Sequence, residues 1–175
     1  MKMEKECAKK DVTQSTENQI CVEFDAISEN EGLARVIIAA FLSRIDPTVD
    51  QVEDVKMAVS EAVTNAIIHG YGENGGRVVM TAKLSGDGEL AIDIIDKGVG
   101  IEDIGQAMQP LFTTGADKER SGMGFAFMEA FMDRLEVESI PNEGTCVHMW
   151  KSFITGQISS QPILQAAVWN RSGRE

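Results

Sequence analysis

The sequence predicts an α+β domain: a two-layer sandwich with helices on one face of a mixed or antiparallel β-sheet. Three observations lead there. Some segments alternate apolar and polar residues with period two, as half-buried strands do. Others repeat apolar residues at helical spacing. The two kinds of segment follow in the order β, α, α, β, β, a long irregular stretch, α, β, β, which groups strands beside helices instead of alternating them.

Residues 1–18 are polar and aperiodic and read as a disordered tail. Ile20–Phe24 is a first short strand. Ser28 and Glu31 then have the spacing of a capping box, and Leu33, Val36, Ile37, Ala40 and Phe41 recur at helical intervals behind it. Asp46-Pro47 ends that helix. A second cap, Asp50 with Glu53, opens another helix whose apolar stripe is Val52, Val55, Val59, Ala62, Val63 and Ala66. It stops at His69-Gly70-Tyr71-Gly72, where glycine permits a left-handed exit.

Arg77–Leu84 and Glu89–Asp96 are β-rich runs joined by Ser85-Gly86-Asp87-Gly88, a hairpin signal. In the second run Leu90, Ile92 and Ile94 alternate with Ala91 and Asp93. From Lys97 to Ser121 glycines, a proline and charges dominate, and only Ile104–Met108 suggests a short turn of helix. So long an irregular stretch inside a domain predicts a functional lid or a disordered segment. Met123–Arg134 is a third helix, and Leu135–Ser139 and Thr145–Phe153 are two more strands around a Pro141–Gly144 turn. Trp150, Phe153 and the methionines Met123, Met128 and Met132 are expected in the core. The domain is thus 19–153, with a second tail over 154–175, where Pro162–Trp169 could form a weak helix.

Composition narrows the function. The chain has 175 residues, 28 acidic and 16 basic side chains, a net charge of −12 and 43% hydrophobic residues. One domain with a buried core fits this length. The acidic balance argues against nucleic acid or an anionic membrane surface as a direct partner. No apolar run approaches the ~18 residues of a spanning helix, and the basic start lacks the apolar stretch of a secretory signal. Three widely spaced cysteines, Cys7, Cys21 and Cys146, fit neither a disulfide framework nor a zinc site. A cytoplasmic location is expected.

Three short motifs carry the chemistry. Glu61 and Asn65 stand four apart in the second helix and share a face opposite the apolar stripe. A carboxylate and a carboxamide so placed can orient a hydroxyl and ligate a hard cation such as Mg2+. Asp96-Lys97-Gly98-Val99-Gly100 ends a strand: the Asp can accept from a purine amino group, and the glycines let backbone approach a flat ring or phosphate. Arg120-Ser121-Gly122-Met123-Gly124 starts the third helix, where unpaired N–H groups favour an anion and Arg120 could clamp a terminal phosphate. Singly, each has a structural explanation: a solvated polar pair, a strand ending in a turn, a glycine-capped helix start. Together, in this order, they are far more specific.

With these residues the sequence resembles the ATP-binding fold of gyrase-type ATPases, the chaperone Hsp90, histidine kinases and MutL (the GHKL or Bergerat fold). Glu61-to-Asn65 matches its N box, Asp96-x-Gly98-x-Gly100 its first glycine box and Gly122-x-Gly124 its second. Ser60–Tyr71, Gln109–Thr114 and Glu119–Phe125 further resemble the anti-sigma serine kinase branch, and within it the anti-sigma F group of endospore-forming bacteria.

The resemblance implies a homodimer that binds ATP with Mg2+, holds a sigma factor, sigma F, away from RNA polymerase, and phosphorylates a serine of an anti-anti-sigma factor in sporulation. A related kinase of a sigma B-type or stress pathway, or a non-catalytic ATP-switched sigma-binding module, stands as the alternative. It further implies that Glu61 orients or deprotonates the substrate serine and that Asn65 ligates Mg2+. Asp96 would recognise the adenine amino group with help from Thr145 through water. Gly98, Gly100, Gly122 and Gly124 would wrap the nucleotide, with Thr114 and Ser121 near phosphate and Arg120 stabilising the transferring group. Arg35, by itself a snorkelling surface residue, matches a position used to contact both protein partners. Gly115 stands where the branch is expected to carry lysine.

The chain lacks a Walker A segment and the His-Arg-Asp signature of eukaryotic-type kinases. It also lacks a helix with an exposed acceptor His before the N box. His69 and His148 are expected to be structural.

Overall fold

A computed structural model describes residues 17–109 and 123–153. Strands β1 (Asn18–Asp25), β2 (Arg77–Leu84), β3 (Glu89–Asp96), β4 (Arg134–Ile140) and β5 (Gly144–Ser152) form one sheet in the order β1-β2-β3-β5-β4. All four ladders are antiparallel, which resolves the mixed-or-antiparallel expectation. Helices α1 (Glu29–Leu42), α2 (Val49–Asn65) and α4 (Gly124–Phe131) pack on one face, with α2 between the other two; α3 (Ile104–Ala107) is a single turn in the loop after β3.

The alternation read in the strands sets which face is buried. Met80 and Ala82 of β2, Leu90, Ile92 and Ile94 of β3 and Met149 of β5 point under the helices and are buried. They meet Ile38 and Leu42 of α1, Val55, Val59 and Val63 of α2 and Met128 of α4. Each such Val, Leu, Ile or Met side chain contributes about 1.5–3 kcal/mol by leaving water.

The opposite sheet face has no helix over it among the described residues. Trp150, expected in the core, stands there instead, half-buried beneath the Arg134 guanidinium at 4.5 Å and stacked on His148. In β5 it is two residues from His148 and alternates with buried Met149, so its parity sends it to the open face. Phe153, Met128 and Met132 are core as expected, whereas Met123 is only partly buried.

Two caps differ from expectation. Ser28 precedes α1 but its side chain makes no capping bond. Glu31 is drawn elsewhere: it accepts from Ser60 Oγ on α2 and pairs with Arg35 Nε at 3.4 Å. A tertiary contact thus outcompetes the local box. At α2 the cap is Thr48, two residues before the expected Asp50. Thr48 Oγ1 accepts from Gln51 N–H at 3.3 Å, and Gln51 Oε1 accepts from Thr48 N–H at 2.9 Å, a complete capping box.

Past Asn65 the helix widens into a π-helical turn, Ala66–Tyr71, and leaves through Gly72 at φ 55°. A π turn shifts the carbonyl ladder and frees it for other partners. Here the Gly70 carbonyl accepts from Val99 N–H at 2.9 Å, so the end of the helix is tied to the loop after β3.

Candidate functional site

A cleft of about 490 Å3 opens between the C-terminal half of α2, the end of β3, the loop through α3 and the start of α4. Its size is that of a small-molecule site. A smaller cavity of about 180 Å3 lies between Ser28 and Ile68.

Asp96 and Thr145 form the floor. They are direct partners across the β3–β5 ladder. Asp96 is 6% exposed, and burial pushes its carboxyl above the usual value of 3.8. Backbone bonds from Gly98 and Thr145 partly offset that rise. Gly98 N–H donates to Oδ1 at 2.8 Å. A buried carboxylate held this way is a poised acceptor, since it has lost water without gaining a counter-ion among the described residues.

Glycines make the surrounding packing possible. A β-carbon on Gly98 would lie 2.1 Å from the Gly70 carbonyl oxygen. One on Gly100, at φ 70°, would lie 2.3 Å from the Ile140 carbonyl oxygen. Only glycine permits both the left-handed backbone and the contact.

At the mouth, Gly124 opens α4 with its α-carbon facing α2. A β-carbon there would stand 3.1 Å from Glu61 Oε2 and 3.2 Å from Asn65 Nδ2. The i,i+4 pair is therefore brought against Gly124 of the second glycine box, as its spacing on one helix face requires. Asn65 lines the cleft, whereas Glu61 stands at its edge.

Of the other expected residues, Gly98, Gly100 and Thr145 converge here. Arg35 does not: it lies on α1, outside the cleft wall, paired with Glu31. Thr114, Arg120, Ser121 and Gly122 lie outside the described residues. His69 is exposed and lines the cleft, a place its position at the helix exit did not suggest. His148 is on the open sheet face, bonded through Nδ1 to Asp93 Oδ1 at 2.8 Å.

Two residues escaped sequence reasoning. The Tyr71 hydroxyl accepts from Lys97 N–H at 2.7 Å and donates to the Arg77 carbonyl at 2.6 Å, latching the first glycine box to β2. Ser139 Oγ accepts from Ile101 N–H at 2.8 Å, anchoring the loop on β4. Tyr71 could have been suspected from its place just after the N box; Ser139 sits in an ordinary strand and gave no signal.

The residues present suit a magnesium nucleotide. The floor offers a carboxylate to an amino group, and the mouth offers amide and carboxylate oxygens from Asn65 and Glu61. No group of three or more His, Cys, Asp or Glu side chains among the described residues could hold a metal by itself. Mg2+ takes one or two protein oxygens and relies on phosphates and water for the rest.

Comparison with known proteins agrees with this geometry. The histidine kinase-like ATPase domain family matches residues 24–151. The anti-sigma F factor of Clostridium acetobutylicum is 55% identical over 137 residues, covering 78% of this chain and 95% of that one. That of a Thermoanaerobacter species is 52% identical over 134 residues, covering 77% and 93%. Among solved structures, the RsbU and RsbW domains of Rv1364c from Mycobacterium tuberculosis superpose with a TM-score of 0.56 at 21% identity, covering 77% of this chain and 32% of that one. That likeness supports the fold. With a cleft of this form, a matched domain and relatives at this identity over nearly their whole length, the chain belongs to the anti-sigma F factor family and carries its histidine kinase-like ATPase domain.

Proposed function

We propose that the chain is an anti-sigma factor and a protein serine kinase: it sequesters a sigma factor, sigma F, and uses Mg-ATP to phosphorylate a serine of an anti-anti-sigma factor in sporulation control. The observation that carries this reading is the placement of Glu61 and Asn65 against Gly124 at the mouth of a cleft whose floor is Asp96. A module that merely binds nucleotide has no need of a carboxylate at that mouth.

Mg-ATP would supply the phosphoryl group to be transferred. Asp96 would accept from the adenine amino group, with Thr145 beside it, and Gly98 and Gly100 would let the loop lie close to the base. Asn65 would ligate Mg2+. The N–H groups at the start of α4, beside Gly124, would face the phosphates. Glu61 would orient the acceptor hydroxyl and take its proton. Phosphoryl transfer depends mainly on positioning and charge neutralisation. Arg120 would contribute to the latter, with Thr114, Ser121 and Gly122 close to phosphate.

Arg35 is the proposed contact for both protein partners; it is 43% exposed in its side chain. We place the reaction in the cytoplasm. No described helix is long and apolar enough to cross a membrane. A homodimer is supported by the outward side of α1, where Leu33 and Val36 are 46% and 65% exposed. Light scattering at micromolar concentration should give about twice 19.1 kDa.

The kinase assignment is tested with Glu61→Ala, labelled ATP and a candidate acceptor protein. ATP affinity is expected to stay within about threefold, while transfer falls by about 10²–10⁴. Full transfer by this variant would remove Glu61 from the mechanism. If wild-type protein binds ATP and a sigma factor but modifies no acceptor, the ATP-switched binding module is the correct reading.

A further inference from the structure

The hydroxyl of Ser139 has three partners. It accepts from Ile101 N–H at 2.8 Å, it lies 3.0 Å from the Gly144 carbonyl oxygen, and it lies 2.9 Å from Thr145 Oγ1. A serine hydroxyl has one proton and two lone pairs. The amide can only donate and the carbonyl can only accept. The serine proton is therefore spent on Gly144, one lone pair is spent on Ile101, and the third contact is a hydrogen bond only if Thr145 donates to Ser139. This is the one assignment in which all three contacts are hydrogen bonds.

The consequence falls on the cleft floor. With its proton turned towards Ser139, Thr145 has only lone pairs to offer a ligand. Its ladder partner Asp96, while ionised, also only accepts. We infer that Ser139 is a specificity-determining residue that does not touch the base: through Thr145 it makes the floor acceptor-only, favouring a purine with a 6-amino group over one with a 6-oxo group. This rests on the nucleotide reading above and adds to it the residue that sets hydrogen-bond direction.

Without Ser139 the Thr145 hydroxyl can rotate. It can then donate into the cleft, where it suits a 6-oxo group, or to Asp96, where it competes with the adenine amino group.

The test is calorimetric titration of the full chain with Mg-ATP and Mg-ITP, which differ at the 6-position. For Ser139→Ala the ratio of ATP to ITP affinity is expected to fall by about three- to tenfold, the scale of one hydrogen bond. Ser139→Thr, which keeps the hydroxyl, should restore it. If Ser139 only braces the loop, both nucleotides weaken equally and the ratio stays, which overturns the inference. Should Ser139→Ala not fold, Ser139→Thr and Thr145→Val carry the test. Thr145→Val removes the acceptor and should lower the ratio, while Ser139→Thr should match wild type; an unchanged ratio in Thr145→Val overturns the inference. If wild-type protein binds neither nucleotide, the nucleotide reading itself fails, and the inference with it; if it binds ATP but the ratio never moves, only the inference fails.

Discussion

Gly70 faces the carboxylate of Asp96 so closely that a β-carbon on it would lie 2.9 Å from Oδ1 and 3.0 Å from Cγ. The glycine lies in the π turn that follows the N box, and the aspartate begins the first glycine box. Their contact is where two motifs distant in sequence become one site.

Gly70→Ala would push the Asp96 side chain away from its bond with Gly98 N–H. Adenine-nucleotide affinity, read by calorimetry, is expected to fall about tenfold, with a small change in melting temperature. Gly98→Ala is different, because its β-carbon meets the Gly70 backbone at 2.1 Å. Main chain yields less easily, so loss of stability by about 2–4 kcal/mol in denaturant unfolding is expected along with lost binding.

Asp96 ties function to stability with a definite sign. Its folded-state carboxyl titrates above the ordinary 3.8 because it is buried. The folded protein therefore holds that proton more tightly than the unfolded chain. Stability from this group is greatest at low pH and falls as pH rises from 3.8 through the folded value. Asp96→Asn should abolish adenine-nucleotide binding yet melt above nucleotide-free wild type near neutral pH. The advantage should shrink towards acid, as a series of melting curves from about pH 8 down to about pH 4 would show.

The two helix starts give a paired expectation. Thr48→Ala removes a complete capping box and should cost about 1 kcal/mol. Ser28→Ala removes no side-chain cap and should shift the denaturant midpoint little.

Cysteine reactivity should separate an inner strand from the edge strand β1. Cys146 is 4% exposed, and burial together with the Asp93, Glu138 and Asp96 carboxylates pushes its thiol up to about 12. Cys21 on β1 is exposed. Alkylation of native protein near pH 8, followed by peptide mass spectrometry, should label Cys21 while Cys146 reacts only after unfolding, because the thiolate is the nucleophile. Early labelling of Cys146 would contradict the packing of β5 against β3.

Much of the fold was legible because it is written in short-range periodicity. β2 and β3 have the bounds that alternation and the Ser85–Gly88 hairpin suggested, and the apolar stripe of α2 is buried from Val55 to Ala66. The misses were contests between local and distant partners. Glu31 could cap its own helix or bond Ser60, 29 residues away, and the structure takes the distant partner. Trp150 looked like core by size and stands on the open face by strand parity.

By itself the sequence determined the elements, the three motifs and the family, since each is encoded within a few neighbouring residues. The burial of Asp96, the meeting of Glu61 and Asn65 with Gly124, and the direction of the Thr145 hydroxyl were decided only by tertiary structure. Ser139 reaches Ile101 across 38 residues. Such a contact exists only once the sheet register and the packing of α2 have been set, because no local propensity acts over that distance.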